Sequence, residues 1–181
     1  MVMSLEEPTM STPRLSPSLS RQAGFTLVEL ITVILILGVL AAVAIPRYAD
    51  LQGKARESKV RAVAGSMKAA AGIAKAQAVA NGVSCAAATA GLVKLEGRDI
   101  ALNHCYPQAL TSLTTGILGA ANIESDGGWT AAITTGTAGA VGAVLDLSLN
   151  DAATPANCKV TYTAAASAGN EATVTTVTTG C

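Results

Sequence analysis

The sequence predicts an α+β protein: a long N-terminal helix, membrane-spanning in its first half and amphipathic in its second, packed on a small antiparallel sheet. Three observations carry this expectation. A predominantly apolar run covers Phe25 to Ile45 and holds a single acid, Glu29. A helical pattern then continues from Arg47 to about Ala80. Beyond it, short stretches rich in valine and threonine alternate with Gly, Asn and Pro turn signals, the signature of strands.

The apolar run comes first in importance. Its 21 residues, at about 1.5 Å of rise each, span roughly the thickness of a bilayer's hydrocarbon core. It is too long for a cleaved secretory signal, and no A-x-A site follows it. Residues 1–24 form a leader with Arg14 and Arg21, which keep the N-terminal side cytoplasmic by the positive-inside rule, although Arg47 on the far side opposes this. Pro8, Pro13 and Pro17 disfavour a helix in the leader. Glu6 and Glu7 offset its arginines, whereas Met10 opens a shorter, purely basic leader, so Met10 is the expected start in place of Met1. An acid inside an apolar span costs up to about 3 kcal/mol on insertion scales, so Glu29 marks a functional position in need of a partner. Pro46 removes a helix hydrogen bond and is the expected place for a kink or local melting.

From Arg47 to residue 82 the sequence reads as an amphipathic helix stopped by Asn81-Gly82. On a helical wheel Leu51, Ala55, Ala62, Ala69, Ile73, Ala76 and Ala80 fall within about 60° of one another. Val60, Val63, Met67, Ala70, Ala74 and Ala78 form a second apolar face. Lys54, Arg61, Lys68 and Lys75, spaced by seven, fill the narrow polar remainder. Two apolar faces imply two partners, a sheet on one side and neighbouring subunits on the other.

Residues 83–181 read as a globular head. GLVKLEGRDI, WTAAITT, AVGAVLDLSL, CKVTYTA and EATVTTVTT are its strand candidates, giving three or four antiparallel strands. The head's four cysteines allow three pairings. The pairs Cys85–Cys105 and Cys158–Cys181 each close a local loop and are favoured, each contributing about 3 kcal/mol in the loop-entropy treatment. Disulfides require an oxidising compartment on the C-terminal side of the membrane.

Net charge is zero, which argues against a bulk nucleic-acid binder. Charge is nonetheless segregated. Arg47 to Lys75 carries seven bases against two acids, and Ala76 to Cys181 carries three bases against seven acids. Opposite signs on two parts of one molecule favour head-to-side stacking of copies. The sequence holds no GxSxG, P-loop, GxGxxG or HExxH motif, so no enzyme activity, catalytic residue, cofactor or metal is expected. His104 beside Cys105 does not make a nucleophile and base, and Glu124-Ser125-Asp126-Gly127 falls short of a calcium loop.

Gly24, the FTLVE that follows it, an apolar run containing Gly38, and then Pro46 and Tyr48 together resemble the class III signal of type IV prepilins. The resemblance implies cleavage between Gly24 and Phe25 by a membrane prepilin peptidase, N-methylation of Phe25, and a role for Glu29 in assembly. Glu29 could then pair with the new amine of its own Phe25, about one helical turn away, or with that of a neighbouring copy. It further implies a homopolymer built with an assembly platform and motor proteins. The chain would stay in the inner membrane before assembly and on the cell surface afterwards, serving adhesion to a host surface, motility or DNA uptake. RYADLQGKARESKV and NHCYPQAL loosely resemble the mannose-sensitive haemagglutinin type of pilin, and the Cys158–Cys181 loop would be the exposed C-terminal loop of major pilins. Two bridges depart from the commonest pattern of one. The alternatives are a pseudopilin of a type II secretion system, for which a C-terminal calcium site is expected, and a minor tip pilin, for which a basic patch beyond residue 76 is expected.

Overall fold

The computed structural model describes residues 24–89, 91–123 and 127–181. The leader residues 1–23, with Arg14, Arg21 and Met10, and the segment Glu124–Asp126 considered above for calcium lie outside the described residues. The chain divides into two compact units at Val43/Ala44.

Helix α1 covers Leu27–Ala80 with Pro46 inside it. The chain stays helical through Pro46 and on both sides of it, so the helix does not melt there. Its end follows from local chemistry. Val83 donates to the carbonyl of Ala78 at 2.9 Å and Gly82 to that of Val79 at 3.0 Å, while Gly82 adopts φ +71°. This is the Schellman pattern, which needs a left-handed residue that glycine supplies without steric cost.

The structure distinguishes the two apolar faces of α1. Val60, Met67, Ala70, Ala74 and Ala78 are buried together with Ala64 and Ala71. Leu51, Ala55, Ala62, Ala69, Ile73, Ala76 and Ala80 are all exposed in the single chain.

The head contains two antiparallel sheets where the sequence suggests one. The first has the order β1 (Leu92–Leu95), β2 (Arg98–Asn103), β3 (Tyr106–Pro107). GLVKLEGRDI therefore folds as a hairpin and not as a single short strand. Its two-residue turn, Glu96-Gly97, has φ +48° and +82°, and the turn between β2 and β3, His104-Cys105, has φ +47° and +68°. Two successive positive φ values give the turn twist that matches paired strands, yet three of these four residues are not glycine. A short helix α2 (Gly116–Ala120) follows. The second sheet is a meander, β4 (Trp129–Thr135), β5 (Val144–Leu149), β6 (Lys159–Thr163) and β7 (Thr173–Val177).

Alternation decides which residues enter the core. Leu145, Leu147 and Leu149 of β5, with Val160 and Tyr162 of β6, point inward and pack with Val60 and Met67 of α1 and Ile117 and Leu118 of α2. Ala74 and Ala78, about two to three turns beyond Met67 along α1, pack instead with Val93, Ile100, Leu102 and Cys105 around the first sheet. Alanines let the backbones approach closely, and the aliphatic side chains of the strands supply most of the buried apolar volume. Tyr162, fully buried, donates its hydroxyl to the carbonyl of Pro107 at 2.6 Å and so ties the second sheet to the first.

Candidate assembly site in the N-terminal segment

Phe25 and Glu29 sit at the start of α1 with their side chains open to the surroundings. Gly24 has nothing within 4 Å of where a side chain would stand, and Phe25 is 93% exposed. From Leu27 to Ile45 the large apolar residues are exposed along their whole length, and among the described residues α1 is a helix long and apolar enough to cross a membrane.

Glu29 is not left bare. Its carboxylate accepts from the backbone N–H of Thr26 at 2.8 Å and from the Thr26 hydroxyl at 2.9 Å. The Thr26 hydroxyl oxygen in turn accepts from the backbone N–H of Glu29 at 3.2 Å. Thr26 is thus the N-cap and Glu29 the third helical residue of a reciprocal capping box. Each side chain satisfies a backbone donor that a helix start leaves orphaned. Thr32 adds a further bond from its hydroxyl to the Glu29 carbonyl at 2.9 Å. A recess of 460 Å³ lies against this turn, lined by Phe25, Glu29, Leu30, Thr32 and Val33.

The sequence reading sought a charged partner for Glu29 and overlooked Thr26. The signal was present in TLVE, a threonine three residues before a glutamate at the head of an apolar run.

The expected site residues therefore fall into separate places. Gly24, Phe25 and Glu29 share the first turn of α1 and the residues before it, and Pro46 lies further along the same helix. In the head, Cys85 is bonded to Cys105 and Cys158 to Cys181. The first bridge holds the left-handed His104-Cys105 turn, where the His104 Nδ1 also lies 3.0 Å from the Cys85 carbonyl. The second ties the end of the chain to the start of β6. Among the described residues no three His, Cys, Asp or Glu side chains come together as a metal site would require.

The basic stripe of α1 is partly spent within the chain. Lys54 pairs with Asp50 at 3.1 Å, and Arg61 pairs with Glu57. Lys75 donates to the Tyr106 hydroxyl at 2.7 Å, stands 4.8 Å from the centre of that ring and lies 3.5 Å from Glu171. The Tyr106 hydrogen bond holds Lys75 above the usual lysine range; burial opposes it, and the tyrosine and Glu171 charges add smaller support. Lys59, off the stripe, donates to the Gly127 carbonyl at 2.5 Å and faces the Trp129 ring at 5.4 Å. The Lys59 and Lys75 contacts fasten α1 to the head.

Comparison with known proteins meets the site at this turn. The family described as the prokaryotic N-terminal methylation motif matches residues 19–45. The N-terminal segment is that of a type IV prepilin. Over 58 residues the chain is 47% identical to the type IV narrow pilus major component PilA5 of Thermus thermophilus. It is 45% identical over 51 residues to the type IV major fimbrial protein FimA of Dichelobacter nodosus, and 49% identical over 49 residues to the type IV major pilin protein PilE1 of Neisseria gonorrhoeae. These stretches cover 32%, 28% and 27% of this chain. They span 50%, 33% and 30% of the respective relatives, so the chain matches half of their length or less. No solved structure matches the chain.

Proposed function

We propose that this chain is the structural subunit of a type IV pilus, polymerised through its N-terminal helix. The observation that carries the proposal is an N-terminal methylation motif leading into a helix whose large apolar side chains, from Leu27 to Ile45, are exposed among the described residues. Such a helix suits two environments of similar polarity. It resides in the inner membrane before assembly and among copies of itself in the filament afterwards, and the transfer between them costs little because both are apolar.

In this reading a prepilin peptidase hydrolyses the Gly24–Phe25 bond and the new amine of Phe25 is methylated. The capping box gives Glu29 hydrogen bonds from Thr26 while the subunit waits in lipid. Assembly then offers the carboxylate a stronger partner, the positive amine of a neighbouring copy, and that exchange sets the axial register of each added subunit. The exposed face of the second half, with Ala55, Ala62, Ala69 and Ala76, lies against neighbouring subunits in the filament. An assembly platform and motors would drive addition, and the heads would form the surface that meets other cells or DNA.

The experiment is deletion of the coding sequence followed by electron microscopy of the cells. Surface filaments disappear and return with the wild-type chain, but not with Gly24→Glu, which blocks cleavage. Filaments that persist after deletion, with loss of protein secretion instead, would assign the chain to a secretion machine.

A further inference from the structure

A sheet edge without a neighbour offers a row of unpaired N–H and C=O groups and invites another strand unless shortness, charge, proline or a bulge blunts it. Among the described residues both sheets end in such edges. Three of the four are blunted. β1 is four residues long and carries Lys94. β3 is two residues long and ends in Pro107. β4 has an irregular register between Ile133 and Thr135.

β7 has none of these devices. Thr173–Val177 reads TVTTV, without a charge or a proline, and pairs with β6 in unbroken register from Thr173↔Thr163 to Val177↔Lys159. Thr173, Thr175 and Thr176 are exposed. Among the described residues no backbone hydrogen bond from outside the β6–β7 ladder reaches this strand. A groove of 260 Å³ lies between α1 and the leading end of the strand, lined by Lys68, Ala71, Gly72, Lys75, Glu171 and Val174.

We propose that β7 pairs antiparallel with β7 of a second copy of this chain. Full overlap of two five-residue strands places Thr175 opposite Thr175, Thr173 opposite Val177, and Val174 opposite Thr176. The contact is twofold, with the same patch on both sides. Threonine–threonine and threonine–valine cross-strand pairs are favourable, and no like charges meet because the strand carries none. A foreign acidic strand is a poorer match, since Glu171 already sits in the groove beside Lys75. The result is one eight-stranded sheet running through two heads. The pairing itself rests on the fold alone. Its consequence in a pilus, side-by-side bundling of filaments through their heads, rests on the filament reading.

The test uses the full chain in detergent micelles, single cysteines and a mild thiol oxidant, with the bridged peptides identified by mass. Thr175→Cys links to itself at least tenfold faster than Thr163→Cys, which lies on the same sheet face one strand inward. Thr173→Cys and Val177→Cys each fail alone and link to one another when mixed. Thr175→Cys no faster than the control, or Thr173→Cys linking to itself, overturns the pairing. So does capture of a different protein at Thr175→Cys, which would make the occupant a foreign strand. As a second readout free of added cysteines, amide-exchange protection of Thr173–Val177 rises with protein concentration in the wild type and not in Thr175→Lys. Protection independent of concentration in the wild type also overturns it. Neither readout requires filaments, so failure here leaves the pilus assignment standing.

Discussion

Thr26 and Glu29 cap each other at the start of α1, the carboxylate accepting from the Thr26 N–H at 2.8 Å and the hydroxyl oxygen from the Glu29 N–H at 3.2 Å. The acid that stands out in the apolar run is therefore part of the device that begins the helix. Removing the hydroxyl in Thr26→Ala should cost about 1 kcal/mol of helix start. The amide of Glu29, which donates to the Thr26 hydroxyl oxygen, should then exchange roughly fivefold faster in micelles, since about 1 kcal/mol corresponds to that ratio. Thr26→Ser, which keeps the oxygen, should restore the wild-type rate. Equal rates in all three proteins would mean the box does not hold in solution.

Tyr162 joins the two sheets through the Pro107 carbonyl. Tyr162→Phe leaves that carbonyl without its partner and should destabilise the head by about 1–3 kcal/mol, read from denaturant unfolding. The same residue gives an alkaline signature. Burial, with a smaller contribution from Tyr106, pushes its pKa above the ordinary value of 10.0. The unfolded chain releases this proton near pH 10 and the folded chain holds it, so the stabilisation is complete below pH 10 and falls as pH rises beyond it. Tyr162→Phe should flatten that fall, and an unchanged slope would place the loss elsewhere.

Asp146 lies on the outer face of the second sheet, yet its side chain is only 11% exposed. It accepts from Lys159 at 2.6 Å and from the Thr161 hydroxyl at 2.6 Å. Lys159→Met leaves a poorly solvated carboxylate with one donor and should cost about 1–3 kcal/mol. The double variant Asp146→Asn/Lys159→Met should recover a good part of this. A double variant no better than the single one would show that the pair is not coupled.

The Cys85–Cys105 bridge closes a sequence separation of 20 residues beside a turn with two non-glycine residues at positive φ. Cys85→Ser/Cys105→Ser should lower stability by about 3 kcal/mol and open the β2–β3 turn first. Hydrogen exchange at His104 to Pro107 should rise more than at β5. A uniform rise would mean the bridge acts through the unfolded chain alone.

Much of this was legible before the structure. The apolar run, the stop at Asn81-Gly82 and the valine- and threonine-rich strand candidate CKVTYTA each carry a local physical signal, and the structure follows them. The first sheet was hidden because its turns use Glu96, His104 and Cys105 where glycine or asparagine would announce them. α2 was hidden because GILGA is too short to show a helical period. The two faces of α1 could not be ranked, since alanine dominates both and only the fold shows that Val60 and Met67 turn inward. Thr26 was readable from its three-residue spacing to Glu29, although an acid in an apolar run calls first for an opposite charge.

The central claim is that this chain is processed at Phe25 and exported into a surface filament. The most direct measurement is the intact mass of the protein in material sheared from cells, with and without reduction. The account predicts the mass of Phe25–Cys181 plus one methyl group, rising by the four hydrogens of two opened disulfides on reduction. A mass that still includes residues before Phe25, or absence of the chain from the sheared material, would contradict it.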